Sequence, residues 1–194
     1  MPPSTLGPPS ILGPPPLTLL QVTADTLAAL QALYEASDGY FQSHSGAAAR
    51  LEEAAFTYND ALEAGDRVLL GIWWQRETLI GCFDLRFDHP APGIVWFGAL
   101  ILRDELPAGR EEAVSTPMES WAVRILEEYL RIGTATQEIR LSLLVSDRPA
   151  VRFWTELGYA PGAGAIRHLI GGKSQRFITY RKPIASDTFM PPGC

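Results

Sequence analysis

One acid stands in the middle of the apolar run TLIGCFDLRF: Asp84, between Phe83 and Leu85. An unpaired carboxylate among such neighbours is costly, so its position calls for a chemical use or a partner. As a chemical group it could take a proton from an incoming nucleophile. As a structural one it could pair with Arg86, two residues along the same face of a strand. Asp88, His89 and Glu105 lie near strand ends and are weaker candidates for that proton. Tyr40, Trp73 and Trp96, with Tyr58, could wall a small pocket or simply fill the core. His44, His89 and His168 are scattered without ligand spacing, and no metal site is expected.

A second stretch, PAGREEAVSTPMESW (107–121), precedes a long helical pattern. A glycine-rich turn feeding a helix N-terminus is a ready phosphate site. The residues here suggest something else. Thr116-Pro117-Met118-Glu119 has the form of a capping box, with Thr116 at the N-cap, Pro117 at N1 and Glu119 at N3. Such a cap uses amide donors that a phosphate would otherwise take. Glu111, Glu112 and Glu119 add negative charge, opposed by Arg110. At surface dielectric each such pair is worth about 1 kcal/mol or less, so an anion is weakened and not forbidden. Gly109 and Arg110 could still supply one amide and one guanidinium.

The elements that must position these groups follow from periodicity. LTLLQV (17–22) is strand-like, and Leu27, Leu30, Leu33 and Tyr34 mark the face of a first helix. SDGYF breaks that pattern, and a second helix is expected from about Ala47 to Ala64, closed by Gly65. RVLLGIWWQ and TLIGCFDLRFDHP form a hairpin around the polar tip Arg76-Glu77. IVWFGALIL is apolar throughout, which predicts a central strand covered on both faces, with Gly98 marking a bulge. Met118, Trp121, Ala122, Ile125, Leu126 and Tyr129 follow helical spacing, with Gly133 as the stop. IRLSLLV is a buried strand. DRPAVRFWTELG is a short helix with Asp147 at the N-cap, Pro149 in the first turn and Gly158 at C′. AIRHLI and QRFITYRKPI close the chain as a hairpin. The order β-α-α-β-β-β-α-β-α-β-β predicts a mixed α/β (α+β) domain of about seven strands and four helices over residues 17–184.

Bulk properties narrow the function classes. The chain has 194 residues, 46% apolar and 20% charged, with formal net charge −6. That is one sizeable core, and it argues against a general binder of nucleic acid or of an anionic membrane. Two cysteines, Cys82 and Cys194, give no disulfide framework, and a reducing cytoplasm is expected. The first sixteen residues contain seven prolines and no charged side chain, which predicts a disordered arm. Residues 185–194 read as a flexible tail. No segment has the length of a transmembrane helix.

This element order, with Asp147-x-x-Ala150-x-x-Phe153-Trp154-x-x-Leu157-Gly158-Tyr159 after the buried strand, resembles the GNAT superfamily of acyl-CoA N-acyltransferases. The resemblance implies an N-acetyltransferase that moves an acetyl group from acetyl-CoA, as co-substrate, to a small-molecule amine by direct attack. It places the backbone of Leu100, Ile101 and Leu102 beside the pantetheine arm, with Asp147, Ala150 and Phe153 also bordering it. Gly109 and Arg110 would be left to meet the pyrophosphate. Asp84 would be the base, and Tyr40, Trp73 and Trp96 the acceptor walls. Trp154 stands where many members have a tyrosine near the leaving thiolate. Indole offers an N–H donor but no acid near neutrality, so Trp154 acts there as a donor or as packing. The family's pyrophosphate glycines would fall near 114–118, which hold Val114 to Met118. A catalytically degenerate GNAT-fold binding module and an acyl-CoA-binding regulator therefore remain as alternatives. An exposed sheet edge could support a homodimer.

Overall fold

The computed structural model describes residues 17–105, 117–170 and 173–184. The proline-rich arm, the tail and the stretch with Gly109 and Arg110 lie outside them. Eight strands and five helices run in the order β1 (Leu17–Gln21), α1 (Leu27–Glu35), α2 (Asp38–Ser45), α3 (Glu53–Ala64), β2 (Arg67–Trp74), β3 (Thr78–Phe87) and β4 (Ile94–Leu102). Then come α4 (Met118–Gly133), β5 (Glu138–Leu144), α5 (Arg148–Glu156), β6 (Ala160–Pro161), β7 (Ile166–Ile170) and β8 (Lys173–Pro183). A 3-10 turn at Ala24–Thr26 leads into α1.

The strands form one sheet in the order β1-β2-β3-β4-β5-β8, with β6 and β7 both on the outer edge of β8. Every pairing is antiparallel except β4 with β5. Parallel neighbours need a long crossover, and α4 supplies it.

Two apolar layers hold helices to the sheet. On one face Ala122, Val123, Ile125, Leu126, Tyr129 and Leu130 of α4, with Trp154 of α5, pack on Leu70, Ile72, Phe83, Leu85, Val95, Phe97 and Ile139. On the other, Leu30, Leu33 and Tyr34 of α1 and Ala54 and Ala61 of α3 pack on Leu69, Leu79, Cys82 and Ile101. Each fully buried large apolar side chain contributes about 1.5–3 kcal/mol, opposed by the entropy of ordering the chain. β4 feeds both layers because Gly98 is bulged out of the ladder: Asp84 pairs Ala99 while Leu85 pairs Phe97. The extra residue leaves Phe97 and Leu100 packed on one layer and Ile101 in the other.

Several boundaries differ from expectation. α1 ends at Glu35, so the helix does break at SDGYF, but the same residues begin a further helix, α2, and α3 starts at Glu53 instead of about Ala47. Both differences have one cause: the first turns of α2 and α3 are capped by side chains from elsewhere. Gly39 N–H donates to Asp104 and Ala54 N–H to Gln31. The hairpin tip is Gln75-Arg76, both left-handed (φ 51 and 61), a pair characteristic of a two-residue type I′ turn. Pro117 has ψ 137 and is the N-cap of α4, not its first helical residue. The predicted box is thereby out of frame: Glu119 stands one position too early, Pro117 offers no capping oxygen, and Thr116 lies outside the described residues. Coverage of β4 on both faces also fails at Gly98, which is exposed.

Candidate active site

β4 and β5 are joined from Ile94–Glu138 to Phe97–Leu141 and then part. The pairing ends where Gly98 is bulged, so the remaining residues of β4, Ala99–Leu102, have no partner in β5. A strand edge that loses its neighbour presents unpaired N–H and C=O groups. Leu100 and Leu102 are partly buried against the α4–α5 layer, and Ile101 against the α1–α3 layer. The fork is therefore lined by backbone edge and flanked by apolar side chains.

The fork is braced by a run of edge-to-face rings. Phe83 meets Phe97 at 5.7 Å between centroids, Phe97 meets Trp154 at 4.8 Å, and Trp154 meets Tyr159 at 4.9 Å. Trp154 is thus enclosed by Phe97, Phe153 and Tyr159 as a packing residue beneath the last paired residue of β4. Tyr159 in turn has the Lys182 ammonium 5.5 Å above its ring, and Lys182 bonds Glu127 of α4 and the Leu157 carbonyl.

On the α1–α3 side of β4 lies a cavity of about 160 Å³, lined by Tyr34, Tyr40, Phe41, Glu53, Thr57, Arg67, Leu69, Cys82, Asp84, Ala99 and Ile101. Asp84 does not pair with Arg86. Both its oxygens accept from Arg67 of β2, at 2.8 Å from Nε and 2.6 Å from Nη2, and Arg67 also reaches Asp60 of α3. Arg86 pairs with Asp66 instead. The register explains this: Asp84 stands opposite Leu69, which puts Arg67 diagonally across the hairpin on the same face. The fork and the cavity meet at Ala99 and Ile101, which line the cavity from the unpaired stretch of β4; a Cβ added at the neighbouring Gly98 would lie 3.5 Å from the Asp84 carboxyl carbon.

The protonation pattern follows from burial and pairing. Burial pushes the Tyr34 and Tyr40 hydroxyls and the Cys82 thiol up from their ordinary values, so all three are neutral near pH 7. The Arg50 side chain, hydrogen-bonded to Glu53, holds that carboxyl below the usual range. Two acidic side chains, Glu53 and Asp84, and one guanidinium, Arg67, line the cavity with the rings of Tyr34, Tyr40 and Phe41, and Glu53 is also paired with Arg50.

Of the side chains expected to act together, Asp84, Tyr40 and Ile101 share the cavity. Trp73 packs against the α1–α3 layer, and Trp96 stacks edge-on to His89; neither lines it. Asp147 Oδ1 accepts from Ala150 N–H at 3.0 Å as the N-cap of α5. Ala150 and Phe153 pack on the same layer as the fork's apolar flank. Arg148, Pro149, Arg152, Phe153 and Glu156 border an open groove of about 410 Å³ on α5. Arg67 and Glu53 were not singled out in the sequence. A register shift between Ile72 and Trp73 separates the hairpin tip from the Asp84–Arg67 diagonal, so counting along the strands does not reveal it; nothing local marks Glu53.

No protein-family model matches the sequence, and no curated protein matches it significantly. Solved structures do match in shape. A ribosomal L7/L12 alpha-N-protein acetyltransferase in complex with coenzyme A superposes with TM-score 0.66 at 13% identity, over 88% of this chain and 96% of that one. A spermidine N-acetyltransferase from Vibrio cholerae, in complex with coenzyme A and spermine, gives 0.64 at 16%, over 88% and 96%. A GCN5-related N-acetyltransferase from Brucella melitensis gives 0.66 at 13%, over 93% and 83%. With the parted parallel strands and the β-α-β crossover already described, these likenesses show that the chain has the GNAT acetyltransferase fold.

Proposed function

We propose that this protein is an N-acetyltransferase that moves an acetyl group from acetyl-CoA to the nitrogen of a small-molecule amine. The observation that carries this reading is the meeting, at Ala99 and Ile101, of a fork between parallel strands with an aromatic cavity that holds two acids. The fold supports it: two of the superposed acetyltransferases hold coenzyme A.

The residues present fit that co-substrate in two places. The unpaired edge of β4 over Ala99–Leu102 offers backbone donors and acceptors to an amide-bearing arm. α4, sixteen residues long, begins with no side-chain cap among the described residues; Ser120 N–H donates to the Pro117 carbonyl at 3.0 Å, so an anion would be met by the Met118 and Glu119 amides. Arg148 adds positive charge beside the α5 groove, where Arg152 is paired with Glu156. Acetyl-CoA, when bound, would supply a thioester activated toward an amine, with coenzyme A as the leaving thiol.

The chain's own groups do the rest. Backbone N–H groups on the parted edge can donate to the oxygen that gains charge during attack. The Tyr34, Tyr40 and Phe41 rings, with the Glu53 and Asp84 carboxylates, favour an incoming ammonium. Both Asp84 oxygens already accept from Arg67, so Asp84 holds and orients the amine. Its side chain is 20% exposed, and water at the cavity carries the departing proton. Trp154 keeps the fork open by packing, and protonation of the departing thiolate falls to water. The setting we assign is the cytoplasm, in line with a buried free thiol at Cys82.

A second reading, a GNAT-fold binding module without turnover, is favoured by one feature: no glycine occurs between Gly109 and Gly133. Calorimetric titration with acetyl-CoA, followed by thiol release across a panel of primary amines, tests both. Binding with release supports the enzyme. Binding without release selects an acyl-CoA-binding regulator, and absence of heat at millimolar acetyl-CoA removes acetyl transfer and leaves the module.

A further inference from the structure

Asp104 lies two residues beyond β4 and touches the corner between α1 and α2 at two points. Its N–H donates to the Ala36 carbonyl at 2.9 Å, and its Oδ2 accepts from the Gly39 N–H at 2.9 Å. The carboxylate therefore sits at the N-terminus of α2, where first-turn amides lack partners and the helix dipole favours negative charge. It arrives from 65 residues away.

α2 has little else to hold it. The residue that would cap it, Ser37, gives its hydroxyl proton to the Leu33 carbonyl at 2.7 Å and makes no cap bond. Among the described side chains of α2 none is buried; Tyr40 and Phe41 are half-buried and the others exposed. Yet Tyr40 and Phe41 form one wall of the cavity, with Phe41 5.2 Å from Tyr34 and 5.3 Å from Tyr40 between ring centroids. A helix that lines a site while burying no described side chain needs an anchor outside itself.

Gly39 fits that anchor. A Cβ at this position would lie 3.0 Å from Asp104 Oδ1, so a larger residue would push the carboxylate away by a few tenths of an ångström. The anchor is itself fixed to the sheet, because the adjacent Arg103 N–H donates to the Ile80 carbonyl of β3 at 3.1 Å. β4 thus carries at its middle the bulge beside which fork and cavity meet, and just past its C-terminal end the group that sets the opposite wall.

We propose that Asp104 is the positioning residue of the acceptor pocket: it caps α2 from the end of β4 and holds Tyr40 and Phe41 at a fixed distance from the fork. This rests on the reading of the cavity as the amine site. Asp104 touches no reacting atom, and its effect is exerted through α2.

The test is a double-mutant cycle on the full chain. Asp104→Ala is expected to raise KM for an accepted amine about tenfold, with the dissociation constant for coenzyme A changed less than twofold. Asp104→Asn keeps a carbonyl acceptor for Gly39 and should restore most of the loss. Gly39→Ala alone should move KM in the same direction as Asp104→Ala and by less, but adding it to Asp104→Ala should do nothing further, because the atom it would crowd has gone. Fold-changes that multiply in the double variant, or a KM unmoved by Asp104→Ala, would overturn the proposal. Hydrogen exchange at Gly39, Tyr40 and Phe41 reads the same anchor without turnover. Exchange at least tenfold faster in Asp104→Ala and recovered in Asp104→Asn upholds it; unchanged exchange overturns it. If the wild-type chain acetylates no amine, the acetyltransferase reading fails while exchange still decides whether Asp104 sets this wall.

Discussion

α5 and α2 are both short helices beside the candidate site, and they are held in opposite ways. α5 carries its own instructions: Asp147 caps it, Pro149 occupies its first turn, and Gly158 follows its end at φ +89. α2 takes its cap from Asp104, and its neighbour α3 takes one from Gln31, whose Oε1 accepts from Ala54 N–H at 3.1 Å. A helix with local caps keeps its ends wherever the chain places it. A helix capped from a distance is defined only once the fold is formed, and its position reports on the strand or helix that supplies the cap.

The largest expected effect lies on the α5 side. Trp154→Ala removes a ring enclosed by Phe97, Phe153 and Tyr159 and should lower unfolding stability by about 3–5 kcal/mol in urea titration. Trp154→Phe should keep most of the packing. If the indole N–H served the chemistry instead, Trp154→Phe would lose turnover out of proportion to stability. That result would move α5 from scaffold to participant.

Arg67→Ala comes next, on the α2–α3 side. It strands Asp84 and removes the tie to Asp60, for an expected loss of about 2 kcal/mol, less than for a fully buried pair because both partners are about one-fifth exposed. Adding Asp84→Asn should recover part of that loss, since the stranded charge is then gone. Equal losses in the single and double variants would mean that the ion pair does not set the cavity floor.

What could be read in the sequence divides along the same line. The ends of α5, the bulge at Gly98 and the amphipathic face of α4 each depend on residues within a few positions, and all three appear as expected. Pairing of Asp84 with Arg86 was the expectation from spacing along one strand, whereas its partner Arg67 stands across the hairpin, where spacing within β3 says nothing. SDGYF looked only like a break, and not like the start of α2, because its cap is not in the neighbouring sequence. The acid that makes Gly39 a helix residue stands at 104. The fold was legible from local pattern and element order; half of the cavity was not, since it is assembled by contacts between distant residues.

Gln31→Ala measures how much a distant cap contributes. It removes the acceptor for Ala54 N–H and the donor to the Arg50 carbonyl, and should cost about 1–2 kcal/mol. Gln31→Glu keeps the acceptor alone and should fall between. If Gln31→Ala is silent by thermal denaturation, α3 is held by its buried Ala54 and Ala61, and the contrast with α5 applies to α2 only.

Asp147→Ala is the smallest change and the sharpest comparison. As a cap alone, Asp147 gives one bond to Ala150 N–H, and its removal should cost about 1 kcal/mol. Asp147→Asn and Asp147→Ser retain a capping oxygen and should lie within a few tenths of the wild-type value. Coenzyme A affinity separates the cap from any contact with the bound arm. An Asn variant of unchanged stability should also bind with unchanged affinity if capping is its whole role. A tenfold loss of affinity at constant melting temperature would show that even this locally specified helix end depends on something beyond its own residues.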